Sequence, residues 1–166
     1  MKKRQLGQTN MYVNPIGLGC MGFSHAYGIA EDKEIAIQTI REAYQLGYNF
    51  FDTAECYTGE NADGSISYNE ELVGEALKDV RDQVIIATKF GVEHKGDHLE
   101  FDSSPDKMRQ SIEGSLKNFK QIILICIINI ALILLLNQKW WLEWWKNSWK
   151  KVRLKHGEFL KSMKII

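Results

Sequence analysis

The sequence predicts an α/β fold built on parallel strands, and three observations carry that reading. Short apolar runs alternate three times with longer segments whose apolar residues recur at helical spacing. The third run, Val84-Ile85-Ile86-Ala87-Thr88-Lys89, is almost wholly apolar, as strands buried on both faces are. Capping and stop residues stand where each helical segment begins or ends. Alternation of strand and helix means parallel strands joined by right-handed crossovers. It does not by itself separate a closed barrel from an open doubly wound sheet. Gly17-Leu18-Gly19-Cys20-Met21-Gly22 has the GxGxxG spacing, but no helix opens on it, the next helical pattern starting only at Asp32, which counts against the open form.

Each element has its own warrant. Residues 3–13 alternate loosely around Thr9-Asn10, a dipeptide suited to a tight turn, and predict a hairpin. Ile16-Gly17-Leu18-Gly19-Cys20-Met21-Gly22 is an apolar run ending in a loop. From Asp32 to Leu46, Ile37, Ile40 and Tyr44 share one face with Ala36 and Ala43, and Gly47 stops the helix. Asn49 to Ala54 reads as the second strand. A polar stretch, 58–67, reads as a loop, after which Asn69 is expected to cap a helix burying Leu72, Val73, Ala76 and Leu77. Ser104-Pro105 then opens a third helix, serine as the cap and proline at its first position, continuing through Met108, Ile112, Ser115 and Leu116.

The net charge of zero conceals a division. Residues 1–117 hold 12 Lys and Arg against 19 Asp and Glu; residues 118–166 hold nine against two. All five tryptophans (Trp140, Trp141, Trp144, Trp145, Trp149) fall in the second part. The break suggests two pieces of different history, 1–117 and 118–166. Three widely spaced cysteines, Cys20, Cys56 and Cys126, argue against a disulfide framework or a zinc site, so no metal is expected. They fit a reducing compartment, and the basic N-terminus has no apolar run behind it to make a signal peptide, so a cytoplasmic location is expected.

Chemistry concentrates at the strand ends. Asp52 and Tyr57 lie at or just past the end of the second strand, and Lys89 closes the third. Singly, an aspartate there is usually a turn residue, a lysine solvated and a tyrosine packing. Together they form a recognisable acid. A phenol is a sluggish proton donor near neutrality; a nearby ammonium stabilises its phenolate, and a carboxylate holds the ammonium in place.

Arg4-Gln5-Leu6-Gly7, Ile16-Gly17-Leu18-Gly19-Cys20-Met21, Phe51-Asp52-Thr53-Ala54-Glu55-Cys56-Tyr57, Asn69 to Leu77 and Ala87-Thr88-Lys89 together resemble the aldo/keto reductase family, most of all its bacterial branch. The resemblance runs from residue 3 to about 117. It implies a (β/α)8 TIM barrel behind an N-terminal hairpin, of which this chain carries the hairpin and the first three βα units. It implies reduction of a small-molecule aldehyde or ketone by NADP(H), with Tyr57 as general acid and Lys89 and Asp52 tuning it. Gly19, Cys20, Met21 and Asp52 would lie near the nicotinamide. The family also carries a histidine at the end of its fourth strand, which this sequence lacks.

After Lys117 the family expects a strand ending tyrosine–tyrosine–glutamine–histidine–arginine. The chain instead reads Cys126-Ile127-Ile128-Asn129-Ile130-Ala131. If each codon is rebuilt from the third base of one residue and the first two of the next, this segment can spell the expected five. Trp140-Trp141 and Trp144-Trp145 are then forced to valine, and Trp145-Lys146 and Trp149-Lys150 to glutamate, as the family's next elements require. A base lost near Lys117-Asn118 is therefore expected, leaving a truncated, inactive reductase with an accidental tail. That tail has its own physics. Residues 122–136 contain no charge and one polar residue, Asn129. As a helix they would span roughly 22 Å, short of the about 20 residues a bilayer asks for. A helical apolar and basic tail is expected, with non-specific membrane association through 122–149 as the alternative to a cytoplasmic location. Charge alone gives no case for nucleic acid.

Overall fold

The computed structural model describes residues 2–6, 10–96, 98–120 and the backbone of 126–129. Its centre is a parallel sheet of four strands: β3 (Leu18–Gly19), β4 (Phe50–Asp52), β7 (Ile85–Phe90) and β10 (Cys126–Asn129), in the spatial order β10-β7-β4-β3. The register aligns Gly19 with Asp52, Asp52 with Ala87, and Asn129 with Phe90. Ahead of the sheet, β1 (Arg4–Gln5) and β2 (Tyr12–Val13) pair antiparallel as the expected hairpin. Thr9 of its turn lies outside the described residues.

Three helices cover one face of the sheet. In α1 (Lys33–Gln45), the Asp32 carboxylate accepts hydrogen bonds from the backbone N–H groups of Glu34 and Ile35, satisfying two of the first-turn donors. Ala36, Ile40 and Ala43 are its buried residues, and Gly47 follows with φ of +97°. In α2 (Asn69–Leu77), Leu72, Val73, Ala76 and Leu77 are all buried, as their spacing requires. In α3 (Pro105–Asn118), Ser104 caps the Lys107 N–H and Pro105 opens the helix. The core lies between sheet and helices, with Phe51, Ile86, Phe90, Met108 and Phe119 fully enclosed. Gly74 brings α2 against the end of α3; a Cβ there would stand 2.6 Å from Phe119 Cα.

Alternation along β7 decides which side chains leave the core. Thr88 faces α2 through Glu70, so Lys89 faces the opposite side. Ala87 shares that side with Lys89, and its register partner Asp52 joins them.

Three expectations need correction, and one connection was not foreseen. The stretch 58–67 is not a loop but a hairpin, β5 (Thr58–Glu60) with β6 (Ile66–Tyr68). Its turn is closed by Asp63, which accepts from the Ser65 N–H and hydroxyl, and by Gly64 at φ of +82°. Asn69 does not cap α2; it is the first helical residue, and its side chain is drawn into buried bonds elsewhere. A second hairpin, β8 (Val92–Lys95) with β9 (His98–Phe101), fills the connection between β7 and α3. Finally, the tail was expected to be helical, yet Cys126–Asn129 is a strand in parallel register beside β7. A run of β-branched isoleucines suits a pleated ladder better than a helix, and β7 offers its outer edge to it. The sheet thus has four parallel strands rather than the three the βα units supply. The rest of 122–136 lies outside the described residues, among which no helix is long and apolar enough to cross a membrane.

Candidate active site

Asp52 ends β4, and Lys89 sits one residue before the end of β7. Tyr57 lies in the short turn after β4, where its N–H bonds to the Ala54 carbonyl at 3.2 Å. The three side chains meet. Lys89 Nζ donates to Asp52 Oδ1 at 2.5 Å, to the Thr53 carbonyl at 2.8 Å and to the Tyr57 hydroxyl at 3.2 Å. An ammonium has three protons, and all three are used. The same nitrogen lies 4.8 Å from the centre of the Tyr57 ring. The Lys89 side chain is only 14% exposed, against 36% for Asp52. Burial opposes the Lys89 charge, but the hydrogen bonds to Asp52 and Tyr57 outweigh it and hold the ammonium above the ordinary lysine range.

The turn carrying Tyr57 is tied down on several sides. Glu55 N–H donates to the Lys89 carbonyl at 3.1 Å, and Glu55 Oε1 accepts from Gly91 N–H at 3.2 Å. Lys107, at the start of α3, pairs with Glu55 at 3.6 Å and also with Glu93. From the other side, the Tyr57 carbonyl accepts from Asn69 N–H at 3.1 Å and from Ser24 Oγ at 3.0 Å. Asn69 itself is a buried latch. It accepts from Thr53 Oγ1 at 2.7 Å and donates to the Cys20 carbonyl and to Ser24 Oγ, both at 2.8 Å. One amide thereby fixes β4, the loop after β3 and the start of α2 to one another.

Gly19, Cys20 and Met21 lie beside this cluster in different ways. Gly19 is exposed, in register with Asp52, and a Cβ on it would meet nothing within 4 Å. Cys20 N–H bonds to the Asp52 carbonyl at 2.8 Å, but its thiol is fully buried in the core. Burial, aided by the Asp52 charge, pushes that thiol up to about 12, so it stays neutral. Met21 opens a single 3-10 turn, Met21–Phe23, and is half-buried. Sequence reasoning missed His25, whose ring stacks on Tyr57 at 5.7 Å between centres, and His94, 5.1 Å from His25. The available signal was position alone: His25 stands in the loop after a strand's C-terminal end, where barrel sites are built.

This arrangement, a phenol bonded to a lysine that is anchored by an aspartate at the C-terminal ends of parallel barrel strands, defines a class of site. Comparison with known proteins names it. The aldo/keto reductase family profile matches residues 15–122, and the chain belongs to that family. Among curated relatives, Probable aldo-keto reductase 1 of Glycine max is 39% identical over 115 residues, covering 68% of this chain and 31% of that protein. L-galactose dehydrogenase of Arabidopsis thaliana is 36% identical over 121 residues, covering 70% of this chain and 34% of the relative. The holo form of an aldo-keto reductase from Bacillus halodurans superposes with a TM-score of 0.64 at 30% identity, covering 78% of this chain and 40% of that structure. The fold is therefore part of a (β/α)8 barrel. The chain spans about a third of the length of the curated relatives it matches.

Proposed function

We propose that this chain is the N-terminal part of an NADPH-dependent oxidoreductase that reduces a small-molecule aldehyde or ketone to an alcohol, with Tyr57 as general acid. The observation that carries the reading is the bonding of Lys89. Because Lys89 donates to the phenol oxygen, that oxygen accepts, and the hydroxyl hydrogen is left free to go to a carbonyl oxygen. Asp52 and the Thr53 carbonyl hold the ammonium at the distance where it stabilises the phenolate left behind. Gly19 and Met21 fit the nicotinamide end of the cofactor. Gly19 has open space before it and sits in register with Asp52. Cys20 contributes through its backbone rather than its buried thiol. NADPH, when bound, supplies the hydride to the carbonyl carbon.

The second half of the proposal concerns residues after Lys117. The family's fourth-strand histidine is read out of frame, hidden in the Asn129 and Ile130 codons, and the polypeptide as it stands does not turn over. The position of β10 supports this. The segment that spells the fourth strand in the displaced frame is also the segment that lies beside β7, with Asn129 in register one residue beyond Lys89. The test is NADPH consumption with an aldehyde by protein in which the frame is restored. The expected result is turnover that falls by about 10²–10⁴-fold in Tyr57→Phe. An unchanged rate in that variant would remove Tyr57 from its role.

A further inference from the structure

The Tyr57 ring is held by more than its backbone. His25 lies against it at 5.7 Å between centres with the planes only 19° apart, an offset stack. His94, from β8, leans on His25 at 5.1 Å and 56°. Three rings from three separate segments therefore form one row ending at the phenol. His25 is itself fixed. Its Nδ1 lies 2.8 Å from the Thr58 carbonyl, which can only accept, so Nδ1 carries a proton there. The His25 backbone N–H bonds to the Met21 carbonyl at 3.0 Å.

The backbone around His25 is built for this placement at some cost. Ala26, the next residue, has φ of +72°, a left-handed conformation that is unfavourable for a non-glycine residue. Such strain persists only where surrounding contacts over-determine it. Here they do. Ser24 bonds to both Tyr57 and Asn69, and Gly59 packs so close to the Ser24 carbonyl that any Cβ would overlap it. The Ser24–Tyr57 bond and the Gly59 approach press the loop after β3 onto the segment 57–59, while Asn69 ties the same loop to the start of α2.

We propose that His25 is a positioning residue for Tyr57, and that with His94 it forms an aromatic clamp setting the angle at which the phenol meets Lys89. The functional meaning rests on Tyr57 being the acid, but the clamp is a matter of geometry and is tested as such. The full chain is labelled with ¹³C-tyrosine, and the Tyr57 ring signals are assigned by their disappearance in Tyr57→Phe. The stacked imidazole is expected to displace those signals from the values of an exposed tyrosine. His25→Ala should return them toward those values, and His25→Phe, which keeps a ring in place, should keep them displaced. His94→Ala should shift them less than His25→Ala does. The signals of Tyr44, bonded to Gln83 at 2.6 Å and remote from the clamp, report whether a variant is folded. If His25→Ala does not fold, His25→Phe decides, because an aromatic ring of different strength must move the Tyr57 signals. Tyr57 signals unmoved by both substitutions in folded protein would overturn the proposal. These signals decide the clamp whatever rate Tyr57→Phe shows, and that rate alone decides the acid.

Discussion

β7 and β10 are neighbours in one sheet, parallel and in register over four residues, yet they stand differently to the chemistry. β7 carries, one residue before its end, a lysine that bonds the aspartate of β4 and the tyrosine beyond it. β10 ends in Asn129, where the proposed displaced frame would place a histidine. The sheet ladder reads only backbone N–H and C=O groups and a preference for β-branched side chains, so an isoleucine-rich run satisfies it. The site reads particular functional groups. A segment can therefore occupy a strand's place without supplying that strand's chemistry, and the two properties can be perturbed separately.

The largest effect should come from removing the chemistry while keeping the strand. Lys89→Met in frame-restored protein keeps an unbranched side chain but deletes the donor to the phenol. Its rate of NADPH-dependent carbonyl reduction should fall by about 10²–10³-fold, the scale for losing one aimed electrostatic donor. A change in stability without a change in rate would mean that Lys89 belongs to the ladder and not to the site.

The reverse experiment uses Glu70, on the helix side of the same strand. Its carboxylate is 1% exposed and accepts from Thr88 at 2.5 Å, Ser115 at 2.7 Å and Asn118 at 2.9 Å. It ties α2, β7 and α3 together using neutral donors only. Glu70→Ala strands those donors, at about 1–3 kcal/mol for each left unsatisfied. Denaturant melts should show a lower midpoint, and equal midpoints would mean water or a side-chain shift replaces the carboxylate.

A smaller effect follows Glu70 through pH. Burial raises Glu70 above its ordinary 4.5, and the bonds from Thr88, Ser115 and Asn118 only partly offset this. The native state therefore holds its proton more tightly than the unfolded chain. The Glu70 contribution to stability is present in full below about 4.5 and is lost as pH rises through the raised native value. The stability of the parent relative to Glu70→Gln should accordingly decline from pH 4 upward and then level off. A difference that grows with pH would show that the carboxylate is stabilised as an anion.

Much of this was legible in the residues. Helix boundaries were clear where a local group sets them, as with Asp32, Gly47 and Ser104-Pro105. Asp52, Tyr57 and Lys89 were legible because strand ends share one edge of a parallel sheet. Asn69 was misread because local capping competes with tertiary bonding, and the buried hydroxyl of Thr53 won. The two hairpins escaped because strands of three or four residues show too little alternation to stand out. The strand character of Cys126–Asn129 escaped because a short apolar run suits either helix or strand until a neighbour is known. His25 had no pattern to betray it, since its partner Tyr57 is far along the chain.

The most direct test of the account is the DNA sequence from the Ser115 codon through the Ala131 codon. A displaced frame that spells tyrosine–tyrosine–glutamine–histidine–arginine requires TGT at Cys126, ATT at Ile127, ATC at Ile128, AAC at Asn129 and ATC at Ile130. Finding those codons, with the fourth strand and its histidine one base out of register, is the predicted result. Any other third base at Asn129 or Ile130 would break the hidden histidine–arginine pair and contradict the account.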